Sequence, residues 1–83
     1  MDVIALGTAV RAARKSAGLS QAQVAGRLGM SRATVSAIER GTIGEIGLRK
    51  IIALCGVLGL VIQVVKRPAR PTLAELRNEA RRA

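Results

Sequence analysis

The residues best suited to chemistry form a short cluster of hydrogen-bonding side chains near the middle of the chain. Ser31, Arg32, Thr34 and Ser36 lie within six positions, with the small Ala33 between them. An arginine guanidinium can bond guanine O6 and N7 together, and small neighbours let a helix lie close to base edges. Arg32 could instead contact a phosphate, and each short side chain could cap a helix or face solvent. The cluster therefore favours contact with nucleic acid.

The composition excludes most other chemistry. The 83 residues include 14 Lys or Arg against five Asp or Glu, for a net charge of +9, and they include no His and no aromatic residue. Without His, the usual general base and the commonest metal ligand are missing. Without aromatic rings, bases cannot be bound by stacking. We expect no enzyme activity, no cofactor, no metal and no small-molecule substrate, whereas the basic balance favours a polyanion as partner.

The single cysteine and the longest apolar run indicate in which cellular compartment the protein is expected. Cys55 cannot form an internal disulfide, which favours a reducing, cytoplasmic compartment. It lies in an apolar stretch without a neighbouring His or Lys, so a buried, inert thiol is favoured over a reactive one. The apolar run 51–65 would form a helix of about 22 Å, short of the roughly 30 Å hydrocarbon core. We therefore expect no membrane span, and the acidic Asp2 argues against a signal peptide.

Local start and stop signals predict four helices. Asp2, Ser20 and Ser31 are N-cap candidates, and Gln23 completes a capping box with Ser20. Glycines follow the expected helix ends. The predicted helices cover residues 3–17, 21–28, 32–40 and 47–58. Helical spacing predicts a core of Leu6, Val10, Ala13, Ala17, Val24, Ala25, Leu28, Val35, Ile38, Leu48, Ile51, Ile52, Leu54 and Cys55.

The run after Gly59 has the composition of a strand. It is continuous and rich in β-branched residues, and it consists of Leu60, Val61, Ile62, Gln63, Val64 and Val65. No second strand is predicted, so the natural partner is the same strand of another copy, which gives a homodimer. Because Gln63 shares a face with Val61 and Val65, we expect the other face to pack on the helices. That face comprises Leu60, Ile62 and Val64.

These elements predict an all-α domain with one added strand. Residues 1–66 form the domain, with about four helices and a C-terminal strand that pairs across the homodimer. Residues 67–83 are a basic linker and a short tail helix that opens with a capping box at Thr72. The tail helix is too short to persist alone in water, so we expect it to be mobile without a partner.

Two of the predicted helices meet across a three-residue turn. Gly29-Met30-Ser31 joins them, and the small Ala25 lies where they must approach closely. Such a helix-turn-helix places its second helix in the major groove of DNA. The residues that carry a wider pattern are Leu19-Ser20-Gln21, Val24-Ala25, Leu28-Gly29, Ser31, Val35-Ser36 and Ile38-Glu39-Arg40-Gly41, with Arg14 and Gly18 upstream.

This pattern resembles the XRE, or Cro/CI-like phage-repressor, family over residues 6–65. The resemblance implies a regulator in which Ser31, Ala33 and Ser36 face bases beside Arg32. Candidate phosphate contacts are Gln21, Arg27, Thr34, Arg40 and Arg14, although any exposed one could be only a solvated side chain. The resemblance also implies that Arg14 pairs with Glu39, the alternative being two independent surface charges.

The later part, Leu48 to Val65, resembles the HipB-like antitoxin branch. That resemblance implies a C-terminal strand paired between subunits and a serine/threonine kinase-like toxin as partner. We therefore expect a homodimeric repressor that binds an inverted repeat in double-stranded DNA and regulates its own operon. A stand-alone phage-repressor-like regulator remains an alternative. Another is a protein-docking module with secondary DNA contact.

Overall fold

The computed structural model describes residues 2–67, and within them the chain forms four helices. These are α1 (Val3–Ser16), α2 (Gln21–Leu28), α3 (Arg32–Arg40) and α4 (Leu48–Val57). The bounds of α2 and α3 are those predicted, α1 ends one residue earlier, and α4 is one residue shorter at each end. The all-α prediction is confirmed for this part of the chain.

Side-chain caps fix where the first three helices begin. The Asp2 carboxylate accepts a hydrogen bond from the Ala5 N–H at 2.7 Å. At α2, the Gln23 N–H donates to Ser20 Oγ at 3.0 Å while the Ser20 N–H donates to Gln23 Oε1 at 2.8 Å. Ser31 caps α3 in the same way as Asp2 caps α1. Each bond satisfies an N–H that a helix terminus leaves unpaired.

The turn between α2 and α3 depends on one glycine. Gly29 follows α2 with φ = 63°, in the left-handed region that other residues adopt at a cost. Its N–H and that of Met30 both donate to the Ala25 carbonyl, which closes the end of α2. The chain can then reverse and enter α3 within three residues.

The core lies where the four helices meet. The α3 helix packs against α1 and α2, and α4 packs against α2. The largest fully buried side chains come from all four helices and are Ile38, Leu54, Val10, Val24 and Val35. Ala25 is also buried, as its predicted place at the close approach of α2 and α3 requires. The core holds α3 by the side that carries Val35 and Ile38.

The crossing of α1 and α3 requires a glycine that the sequence pattern did not single out. Gly7 is buried in α1, and a Cβ atom built on it would lie 2.7 Å from the Glu39 carbonyl oxygen and clash with that of Ile38. The missing side chain lets the backbones of α1 and α3 touch. Arg14 lies seven residues later, about two turns along the same side of α1. The crossing at Gly7 thus brings Arg14 toward the end of α3.

Three residues predicted to lie in the core are exposed in the single chain. Ala17 is exposed just after α1. Leu48 is 69% exposed and Ile52 is 53% exposed, whereas Ile51, on the other side of α4, is buried. The prediction was wrong for Ala17 because α1 ends before it. It was wrong for Leu48 and Ile52 because apolar spacing alone does not separate a core-facing side of a helix from a second apolar side. The α4 helix therefore has apolar residues on two sides.

The segment after α4 forms no regular helix or strand within residues 60–67. The Leu60 N–H donates to the Cys55 carbonyl at 2.8 Å, and Leu60 packs on the core. Ile62 is 43% exposed and Val64 is 99% exposed, so Val64 does not pack on the helices in the single chain. The strand and its pairing stay a prediction.

The predicted tail helix and nearly all of the basic linker lie outside the described residues. Among residues 2–67, no helix has the length and apolar character needed to span a membrane.

Candidate nucleic-acid interface

The exposed side of α3 carries the residues predicted to contact bases. Arg32 and Ala33 are exposed and Ser36 is half-buried. Val35 and Ile38 lie on the opposite side, in the core. Because Arg32 and Ser36 are four residues apart, their side chains follow one another along the same side of the helix. The structure therefore presents a short polar row on the surface of α3.

Ser31 has a local role at the start of this row. Its Oγ accepts a hydrogen bond from the Thr34 N–H at 3.1 Å and lies 2.8 Å from Thr34 Oγ1. The capping function that the sequence left as an alternative for Ser31 is therefore present. Its side chain remains exposed, so capping does not remove it from the surface.

Arg14 and Glu39 form a largely buried ion pair. Arg14 Nε donates to Glu39 Oε2 at 2.7 Å and Nη2 donates to Oε1 at 3.0 Å. The side chains are only 12% and 2% exposed. The two parallel hydrogen bonds fit a guanidinium to a carboxylate and fix both groups in one orientation. The predicted pair is confirmed, and the alternative of two independent surface charges is excluded.

Gln21, the first residue of α2, also forms a hydrogen bond with Glu39. Gln21 Nε2 donates to Glu39 Oε1 at 3.3 Å, and Arg14 Nη1 donates to the Leu19 carbonyl at 2.8 Å. A single carboxylate at the end of α3 therefore holds α1 and the start of α2. This arrangement sets the position of α3 relative to the N-terminus of α2, where backbone N–H groups are available for an anion.

The charge of the buried carboxylate is retained. Burial alone would raise the pKa of Glu39, but the hydrogen bonds from Arg14 and Gln21 and the positive charges of Arg14 and Arg11 outweigh it. The pKa of Glu39 is therefore lowered. The hydrogen bond to Glu39 raises the pKa of Arg14, against the opposing effect of its own burial. Both groups are ionised at neutral pH, which is the state in which they bind each other best.

The amino-acid sequence of the chain matches the model of a known protein family. The family model described as Helix-turn-helix matches residues 10–62, which is more than half of the chain and includes α2, α3 and α4. The chain belongs to the XRE-type Helix-turn-helix family. Members of this family are DNA-binding regulators. Comparison with curated proteins finds no match.

In this helix-turn-helix domain, the residues predicted to contact phosphate fall into two groups. Arg27 and Arg40 are exposed, and Thr34 and Gln21 are half-buried at the starts of α3 and α2. Arg14 differs, since all three of its guanidinium nitrogens donate to groups within the domain. The geometry therefore gives Arg14 a positioning role and gives no support to a direct phosphate contact.

One basic residue beside the interface was missed. Arg11 lies on α1 and lines a polar cleft next to Gln21 and Arg40. The available signal was its spacing, because Arg11 precedes Arg14 by three residues and therefore lies on a neighbouring part of the same helix side.

Two further features of residues 2–67 concern metal binding and the reactivity of the thiol. No group of three His, Cys, Asp or Glu residues in this range could hold a metal ion. Cys55 is buried in α4, and that burial raises the pKa of its thiol. A thiol of raised pKa is a poor nucleophile, so the inert role predicted for Cys55 fits its surroundings.

Proposed function

We propose that this helix-turn-helix protein is a transcriptional repressor that binds an inverted repeat in double-stranded DNA as a homodimer. The proposal rests on one observation, which is that the buried and the exposed sides of α3 carry different residues. Its buried side is held by the core and by Glu39, while its exposed side presents Arg32, Ala33 and Ser36. A helix held in this way can enter the major groove without losing its packing.

Arg32 is the main base-reading residue of the proposal. It is the first residue of α3 and is exposed, so its guanidinium can reach guanine O6 and N7. Ala33 and Ser36 are small enough for α3 to lie close to the bases. Ser31 contributes from the cap position.

Phosphate contacts flank this row. Gln21 and Thr34 lie at the N-terminal ends of α2 and α3, where unpaired backbone N–H groups favour an anion. Arg27 and Arg40 add charge at the ends of the same helices. These contacts set the register of α3 on the duplex and contribute affinity for every sequence.

The homodimer is supported by the exposed apolar surface. Leu48 and Ile52 on α4 and Val61, Ile62 and Val64 on the following segment are all exposed. Together they border a groove of about 460 Å³ along α4 and that segment. A continuous apolar surface of this kind marks an interface in soluble proteins. A second copy would cover it and would supply a strand partner for Leu60–Val65, including Gln63 and Val65.

Two-fold symmetry then connects the dimer to its DNA. An interface made from the same segment of both copies relates the two α3 helices by a two-fold axis. Two helices related in this way fit half-sites about 34–36 Å apart in an inverted repeat.

We further propose that the protein is the cytoplasmic antitoxin of a toxin–antitoxin pair and restrains a serine/threonine kinase-like toxin. The support is the resemblance of residues 48–65 to the HipB-like branch. Co-purification with a kinase-like protein encoded by the adjacent gene would support this role. If that gene encodes no such protein, or its product fails to bind, the stand-alone regulator is the better description.

Footprinting of the purified protein on the DNA upstream of its own gene tests the regulator. We expect a discrete protected region made of two inverted half-sites. Uniform weak protection of all DNA would contradict specific recognition and would favour the protein-docking module with secondary DNA contact.

A further inference from the structure

A polar cleft opens beside the exposed side of α3 and is bounded by three helices. Its volume is about 300 Å³. The residues that line it are Arg11 and Arg14 from α1, Gln21 from α2, and Ser36, Glu39 and Arg40 from α3. Three cationic groups and one carboxylate therefore meet in one small space.

The charges in this cleft do not cancel. Arg14 uses its guanidinium on Glu39 and on the Leu19 carbonyl, so these two charges compensate each other. Arg11 and Arg40 remain as two positive charges without a matching carboxylate in the lining. Arg11 lies close enough to Glu39 for its charge to contribute to the lowered pKa of that carboxyl. The cleft therefore attracts an anion, and Arg11 is part of the attraction.

Hydrogen-bond donors are also available there. The Gln21 amide nitrogen carries two hydrogens, of which one is donated to Glu39. Arg40 donates only its Nε, weakly, to the Ser36 carbonyl at 3.4 Å. The Arg40 terminal nitrogens and the second Gln21 amide hydrogen can thus serve a ligand. Donors on two sides of a cationic cleft suit an oxyanion with several acceptor oxygens.

We propose that this cleft holds one DNA backbone phosphate in each half-site, with Arg11 as a phosphate contact contributed by α1. The inference rests on the proposed DNA binding. The half-buried Ser36 and the exposed Arg40 line the cleft and follow Arg32 along the same side of α3, so a duplex against that side brings its backbone to the cleft. Arg11 then contacts the duplex from α1, outside the α2–α3 unit, and helps to set the position of α3 in the major groove.

The test compares Arg11→Ala with Lys15→Ala in the full chain. Both residues are exposed on α1 and each substitution removes one positive charge, but Lys15 does not line the cleft. Binding to the operator is measured over a range of salt concentrations. A plot of log K, the logarithm of the operator-binding constant, against log salt falls with a slope that steepens by about 0.9 for each phosphate contact. Because a dimer covers two half-sites, Arg11→Ala should make this slope less steep by about 2. Lys15→Ala should leave it nearly unchanged.

Ethylation interference locates the contact. With the native protein and Lys15→Ala, ethylation of one particular phosphate in each half-site should block binding, and with Arg11→Ala the same ethylation should interfere much less, because only Arg40 and Gln21 remain to contact that phosphate. Arg11→Lys should restore part of the effect because it restores the charge. Thermal denaturation checks that each variant is folded, which the exposure of Arg11 leads us to expect.

The outcomes separate the two proposals. If the native protein protects its operator and Arg11→Ala behaves like Lys15→Ala in both assays, the cleft proposal is overturned and the proposed function stands. If the native protein protects no DNA, the proposed function fails and the cleft proposal falls with it.

Discussion

Arg14 and Glu39 lie 25 residues apart in the chain and are joined by two hydrogen bonds of 2.7 and 3.0 Å between α1 and the end of α3. The same carboxylate accepts a bond from Gln21 at the start of α2. The α3 helix, which we propose faces DNA, is therefore held to both of its neighbours through one ionised group. Its orientation depends on a charge that is almost completely shielded from solvent.

Stability should fall at acid pH because of this carboxylate. The pKa of Glu39 is lower in the folded chain than its ordinary value of 4.5, so the unfolded chain takes up the proton first as pH falls. The stabilisation is present above about pH 4.5 and is lost as pH falls through the folded-state pKa. Urea denaturation at a series of pH values measures the free energy of unfolding and therefore the loss of this stabilisation.

Two variants serve as controls for this prediction. Glu39→Gln keeps one acceptor oxygen but removes the negative charge that compensates the largely buried Arg14, and it should cost about 3–5 kcal/mol at neutral pH. The double change Arg14→Met with Glu39→Leu removes both charges and should cost less than the single change. A double variant that loses stability with acid as the native chain does would show that other groups cause the effect.

Gly7→Ala should destabilise the domain. The added methyl group meets the backbone carbonyls of Ile38 and Glu39, which are held by the helix and cannot rotate away. Overpacking of this kind costs about 1–3 kcal/mol. Gly26→Ala is the matched control, because that position is exposed in α2 and has open space around it. Gly26→Ala should stabilise α2 by about 0.5–1 kcal/mol, as measured by thermal denaturation. Equal effects of the two changes would contradict the close approach at Gly7.

Arg32→Ala should weaken specific binding by about 1–3 kcal/mol and relax selection at one base pair of each half-site. Arg27→Ala, which removes a charge from the exposed side of α2, should weaken binding to all sequences alike. Binding to a set of operators with single base-pair changes measures both. If Arg32→Ala keeps the native preference at every position, Arg32 contacts phosphate and the base-reading assignment is wrong.

Val64→Asp should abolish the dimer without unfolding the single chain. Val64 is 99% exposed in one copy, so a carboxylate there costs little until a second copy covers it. Ile62→Asp should also abolish the dimer, whereas Gln63→Lys should be tolerated. Sedimentation of the three variants, with operator binding in parallel, measures this. A stable dimer of Val64→Asp would place the interface elsewhere.

The sequence predicts best what is decided within a few residues. Ser20 with Gln23, Ser31, and Gly29 mark the ends of α2 and α3, because capping bonds and left-handed glycines act on their own turn. The pairing of Arg14 with Glu39 was predicted through a family resemblance, because no local pattern joins residues 25 positions apart.

The features that the sequence pattern failed to predict are contacts between elements that are distant in the chain. Nothing in the pattern of α1 indicates that its crossing with α3 lies at Gly7. Likewise, an apolar Leu48 or Ile52 looks the same in sequence whether it faces the core or a surface that a partner would cover. Val64 is a similar case, since alternation predicts which residues share a face and not what that face packs against.

The division of α3 into a held side and an exposed side has an evolutionary consequence. Arg32 and Ala33 are exposed, so substitutions there leave the core, the Glu39 contacts and the helix caps in place. A duplicated gene could acquire a different target through a few such changes, and every intermediate would still fold. New regulatory circuits can thus arise from this scaffold by retargeting alone.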